Sequence, residues 1–260
     1  MIPTRLVEHY EDKYSGAQLS PAPEPLPLDT RRPRTRADAA VSHLARLLPE
    51  GAEVLELGAG NGVIGESLRV GGVPFGRYTM SEISPPRLDA LRATFTDPRF
   101  DVTYADAEHP SSSPELSGRR FDAVVMLALI EHLIDPMGAM ADLATLLKPG
   151  GFVYVDTPNI AKWTRRLRLL GGRFPSTASV DEGLMRGDGA PADLHDEGHL
   201  HYFTHRSLSR MLTERCGYGS VEFHPYYEAP RLFGDRLGTF LARRRPTLFA
   251  EISLVARAAH

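Results

Sequence analysis

Residues 54–62 read Val-Leu-Glu-Leu-Gly-Ala-Gly-Asn-Gly, and here residue type and spacing first point to chemistry. Gly58, Gly60 and Gly62 let a backbone turn sharply and let a ligand approach with no Cβ in the way. Any nucleotide-binding strand–turn–helix unit uses that device, so the glycines alone do not choose a ligand. Two details narrow it. The spacing is G-x-G-x-G, and Val63 stands where the dinucleotide fingerprint G-x-G-x-x-G needs its third glycine. Glu56 sits two residues before Gly58, where a carboxylate favours a cation and repels a pyrophosphate. Two more acids follow at the ends of apolar runs. Glu82, 24 residues after Gly58, is placed to accept both hydroxyls of a ribose, and Asp106 with Ala107 to bond an adenine amino group. A sulfonium nucleoside such as S-adenosylmethionine (SAM), cationic and without a pyrophosphate, suits all three.

The elements that must hold these acids follow from the apolar pattern. Short buried strands are expected at 54–57, 77–83, 101–106, 121–129 and 152–158. Helical segments lie between them, one opened by Pro85-Pro86 and another ended by Lys148-Pro149-Gly150-Gly151. A helix from about Ala37 to Leu48 precedes the series. One at 204–218 has Thr204 as N-cap and Gly217 as C′ residue, and strands near 219–227 and 248–256, with a helix at 231–244 between them, close the chain. Such alternation argues for a parallel sheet covered by helices on both faces. Five prolines keep 20–36 extended or looped, after a short helix at 1–16 carrying Tyr10 and Tyr14.

With these positions in place the chain resembles class I SAM-dependent methyltransferases, of the group similar to ubiquinone-biosynthesis O-methyltransferases, over roughly 37–225. VLELGAGNG is similar to the first motif of that family, SEIS to its second and YADAEHP to its third. LKPGGFVYVDTPN resembles the loop and strand that follow strand four, and GHLHYFTHRSLSRMLTERCGY the strand and helix after an insertion. The resemblance implies a Rossmann-like α/β fold with a seven-stranded sheet, order 3-2-1-4-5-7-6 and strand seven antiparallel. It also implies an arm at 1–36, a SAM-dependent methyltransferase domain at 37–260 and a substrate lid inserted at 159–200. The candidate cofactor contacts are Glu56, Gly58, Ala59, Gly60, Asn61, Gly62, Glu82, Ile83, Asp106, Ala107 and Leu127. Arg36, 20 residues before Glu56, is a candidate partner of the SAM carboxylate, and Tyr14 or Tyr10 would close over the cofactor.

Methyl transfer is an in-line displacement at an activated carbon, so positioning the acceptor supplies most of the acceleration. A hydroxyl acceptor must also lose its proton, to a base or with help from a Lewis acid. Four of the ten histidines, His195, His199, His201 and His205, fall within 11 residues, and His132 follows Glu131 just after the fourth strand. In one reading a histidine is the general base, with His199 and His132 ahead of His201. In the other, Glu131, His132 and His199 hold a divalent metal. Some metal-dependent relatives, such as small-RNA 2′-O-methyltransferases, carry E-x-x-E-H there, but here Ala128 replaces the first acid, which counts against an oxygen-rich Mg²⁺ site. His205, inside a first helical turn, is expected to be exposed.

Bulk properties exclude other classes. A net charge of −3 gives no footprint for nucleic acid, and no apolar run approaches the roughly 18 residues of a membrane span. One cysteine, Cys216, allows no internal disulfide and suits a reducing cytoplasm, and the N-terminus has acids where a leader needs an apolar core. The basic amphipathic stretch 161–170 is expected to be a lid helix packed on the core, with an interface-lying helix contacting a membrane peripherally as the other reading. The expected activity is methylation of a small-molecule acceptor, at oxygen before nitrogen or carbon, in quinone-like or specialised metabolism, by a monomer or homodimer. A SAM-binding scaffold is the non-enzymatic alternative.

Overall fold

A computed structural model describes residues 23–28, 33–177, 199–227 and 233–259; Tyr10, Tyr14 and His195 lie outside them. The chain order is α1 (Arg36–Leu47), β1 (Glu53–Leu57), α2 (Val63–Val70), β2 (Arg77–Glu82), α3 (Pro85–Thr94), β3 (Phe100–Tyr104) and β4 (Phe121–Leu127). There follow α4 (Pro136–Leu146), β5 (Leu147–Thr157), α5 (Trp163–Leu170), α6 (His205–Arg215), β6 (Tyr218–Phe223), α7 (Gly234–Arg244), α8 (Pro246–Phe249) and β7 (Ile252–Ala258). The seven strands form one sheet in the order β3-β2-β1-β4-β5-β7-β6. The first five pair in parallel, and β7 runs antiparallel to β5 and β6.

Central strands read as unbroken apolar runs because they are covered on both faces. On one face Leu55, Leu57, Val124, Met126, Val153 and Val155 pack with Leu143 of α4 and with Leu208 and Leu212 of α6. On the other, Val54, Met80, Val125, Phe152 and Val255 meet Leu44 of α1 and Ile64 and Leu68 of α2. The parallel strands carry their C-terminal ends to one edge, which in open α/β sheets is the ligand edge.

Helix starts are set by local chemistry. The Thr35 hydroxyl accepts from Asp38 N–H at 3.1 Å while the Asp38 carboxylate accepts from Thr35 N–H at 3.2 Å, a capping box that fixes Arg36 at the head of α1. Thr204 and Ser207 make the same exchange at α6, and Gly217 takes φ +79° just past its end. Three expectations shift. β3 stops at Tyr104, so Asp106 lies in the following loop, and β5 begins five residues early, at Leu147. α5 packs less than expected of a lid helix on the core: none of its residues is buried, and Leu167, Leu169 and Leu170 face outward. Among the described residues no helix is long and apolar enough to cross a membrane.

Candidate functional site

The glycine turn leaves β1 at the ligand edge with Gly58, Gly60 and Gly62 at φ +67°, +60° and +75°. Only glycine adopts that run of left-handed conformations without strain. At Gly62 space is also short, since a Cβ would lie 2.6 Å from the Phe95 ring. Ala59 N–H donates to Ser81 O at 3.0 Å, and the Asn61 side chain accepts from Val63 N–H at 3.2 Å, which stitches the turn to β2 and to the start of α2. The result is a cradle of backbone that side chains would fill.

Acids border it. Glu56 is buried, and the Tyr78 hydroxyl donates to its Oε2 at 2.9 Å. Burial pushes the Glu56 carboxyl up to about 8; the Tyr78 bond pulls down and the nearby Glu82 charge pushes up further. Glu82 ends β2 and accepts from Gly60 N–H at 2.6 Å, with the Arg87 guanidinium 3.7 Å away. Burial raises Glu82 too, against those two partners. Ile83 follows it, half-buried. Asp106 and Ala107 are half-buried, and Asp106 accepts from Glu108 N–H at 2.9 Å. Leu127, the last residue of β4, pairs with Asp156 on β5. Arg36 Nε lies 4.0 Å from Asp156 Oδ1. Two buried acids border the cradle, and a carboxylate there favours a cation over a phosphate, which fits SAM and its sulfonium.

The second cluster lies one strand over. β4 is followed by Ala128, a non-glycine residue at φ +49°, and then by a single 3₁₀ turn, Ile130–His132. Glu131 is buried there and accepts from Thr157 Oγ1 at 2.8 Å. Its carbonyl accepts from Leu200 N–H at 2.8 Å and His201 N–H at 3.1 Å, which brings residues 199–201 alongside. Ligand-capable atoms of Glu131, His132 and His199 lie within 4.8 Å of one another, and the two imidazoles meet edge to face at 4.6 Å. Two imidazoles and one carboxylate are a donor set for zinc-like metals. His201 stands apart, with Nε2 at 3.2 Å from Ile134 O.

One expectation is overturned. His205 is buried rather than exposed, packed on Phe223 at 4.9 Å with neither ring nitrogen hydrogen-bonded, and burial lowers its pKa to about 4. Sequence reasoning also missed Tyr78, Asp156, Thr157 and Thr177. Tyr78 and Asp156 carried a signal: one sits on β2 beside the strand of Glu56, and the other is an acid inside the apolar run of β5.

This fold, with an acid-led glycine cradle at the ligand edge, defines a Rossmann-like nucleoside-binding domain of the SAM-dependent class. The chain belongs to the methyltransferase-domain family, whose model matches residues 29–221. It is similar to the ubiquinone biosynthesis O-methyltransferase of Xanthomonas axonopodis pv. citri (strain 306), 31% identical over 131 residues, which are 50% of this chain and 53% of that one. The chain thus spans about half the length of the curated relatives it matches. A chain of the complex between the Haloferax volcanii Trm112 methyltransferase activator and a methyltransferase superposes with a TM-score of 0.58 at 16% identity, covering 86% of this chain and 91% of that one. The CurJ carbon methyltransferase superposes with 0.56 at 17% identity, covering 100% and 62%. At these identities the structural likeness establishes the fold.

Proposed function

We propose that the chain methylates an oxygen of a small-molecule acceptor, in quinone-like or specialised metabolism. The convergence of Glu131, His132 and His199 at the end of β4, beside the cofactor edge, carries this reading. The O-methyltransferase name of the curated relatives supports it. SAM, when bound, supplies an activated methyl group. In this reading Gly58, Ala59, Gly60, Asn61, Gly62 and Leu127 cradle its methionine end, Glu56 faces its cationic end, and Arg36 meets its carboxylate. Glu82 and Ile83 take the ribose, and Asp106 and Ala107 the adenine. The acceptor lies between the cradle and the histidines. Its oxygen gains the methyl group as the sulfonium C–S bond breaks, and its proton passes to His199, with His132 beside it.

A metal-assisted version rests on the same three residues. Glu131, His132 and His199 would hold a zinc-like ion, which would lower the pKa of the acceptor hydroxyl. Ala128 withholds the carboxylate that a Mg²⁺-type site needs. Residues 159–200 serve in this account as the acceptor lid of a domain at 37–260. The outward leucines of α5, beside Arg166, are where a lipid-like acceptor would be met.

The test incubates the full chain with SAM and a panel of ortho-dihydroxy aromatic acids, with and without chelator. An O-methylated product and S-adenosylhomocysteine, with turnover reduced about 100-fold or more in His199→Ala, is the expected outcome. Loss on chelation selects the metal version. N- or C-methyl products would overturn the oxygen assignment, and SAM binding without turnover on any acceptor would favour a scaffold.

A further inference from the structure

His199 is held from a second side. Its Nδ1 lies 2.8 Å from the hydroxyl of Thr177, in a contact buried from solvent and 22 residues apart in the chain. Thr177 belongs to the stretch after α5, and that stretch is tied down by a buried ionic hub. Glu251, at the foot of β7, takes Lys162 Nζ at 2.8 Å on Oε1 and Arg165 Nη1 at 2.8 Å on Oε2, and also accepts from Asn159 N–H at 2.6 Å. Asn159 Nδ2 donates in turn to Ala250 O at 3.0 Å. Arg165 is the link outward: its Nη1 donates to Asn159 O at 2.7 Å, and its Nε to Ser176 O at 3.2 Å. Glu251 and Lys162 are nearly inaccessible, with side-chain exposures of 3% and 6%, and Arg165 is half-buried at 13%. Removing the Glu251 carboxylate would leave two buried cations without their counter-charge.

A histidine that takes a proton or binds a metal must present one nitrogen with its lone pair outward, and the other nitrogen's hydrogen bond decides which. We propose that Thr177 is a positioning residue: its hydroxyl accepts from His199 Nδ1–H, fixes that tautomer and makes Nε2 the nitrogen that serves the acceptor pocket. The Arg165–Glu251 hub holds Thr177 in place through Ser176. The chain thereby connects the start of β7 to the orientation of one imidazole. The inference rests on the role given to His199 under Proposed function, in either its base or its metal version.

The experiment reads the tautomer directly, without an acceptor. In the full chain labelled with ¹⁵N-histidine, long-range proton–nitrogen spectra distinguish Nδ1–H from Nε2–H for each of the ten histidines, and a His199→Gln spectrum assigns the signal. His199 is expected as Nδ1–H. Thr177→Val should move it toward the Nε2–H form that free histidine prefers, Thr177→Ser should keep Nδ1–H, and both variants should bind SAM as the parent does. An Nε2–H tautomer in the parent chain, or an Nδ1–H signal unmoved in Thr177→Val, overturns the proposal. A His199→Ala variant that methylates as well as the parent would instead remove the reading on which it rests, leaving the tautomer result standing.

Discussion

Glu56 allows the sharpest quantitative prediction. Its carboxyl is buried against the Tyr78 hydroxyl, and burial lifts its pKa from 4.5 to about 8. The folded state therefore holds this proton more tightly than the unfolded state does. The stabilisation is fully present below 4.5 and is lost progressively as pH rises toward 8. At about 1.4 kcal/mol per unit, roughly 3 kcal/mol of stability is gone by pH 7. Glu56→Gln keeps the shape and the Tyr78 partner and removes the titration. Urea unfolding of the SAM-free protein at stepped pH should show the variant gaining on the parent by about 3 kcal/mol between pH 4.5 and 7. Binding should behave in reverse. A sulfonium or α-amino group beside Glu56 favours the carboxylate, so SAM binding at pH 7 should release close to one proton, counted calorimetrically in buffers of different ionisation enthalpy. Affinity should rise roughly tenfold per pH unit below 8 in the parent and stay flat in Glu56→Gln. Parallel stability curves together with no proton release would refute the assignment of Glu56 to the cationic end of SAM.

Three further outcomes are expected. Gly62→Ala forces a Cβ into a φ of +75° and against Phe95, so it should destabilise by about 2–4 kcal/mol in urea and weaken SAM binding in the same titration. His205, held at about 4 by burial, is neutral in the folded chain, so stability should fall as pH drops from 6.5 through 4 by about 3 kcal/mol; His205→Leu should be the more stable protein at pH 5 by thermal melting. Glu251→Gln leaves buried Lys162 and Arg165 without their counter-charge and should cost about 3 kcal/mol, measured by urea midpoint, with SAM affinity changed little.

Much of this molecule was legible in its sequence because the signals were local. The Glu56–Gly62 turn sits between an apolar strand and a helix, and the β-α alternation gave the sheet order through the family resemblance. Glu131 and His132 are adjacent, and their meeting with His199 was anticipated as one of two readings. What escaped depends on contacts that spacing does not carry. Tyr78 reaches Glu56 through the register of two neighbouring strands. Glu251 finds Lys162 and Arg165 across almost 90 residues, so no local pattern marks the hub. His205 looked like an exposed first-turn residue, yet the docking of α6 against β6 turned it inward onto Phe223. The α5 leucines erred the other way: an amphipathic stripe normally marks a packed face, and here it is left outside.

The most direct test of the account is a crystal structure of the chain with S-adenosylhomocysteine. The ribose hydroxyls should lie on Glu82, the homocysteine over Gly58–Gly62 beside Glu56, and the sulfur should face a space bounded by Glu131, His132 and His199. A nucleoside bound elsewhere, or a sulfur turned away from those three residues, would contradict it.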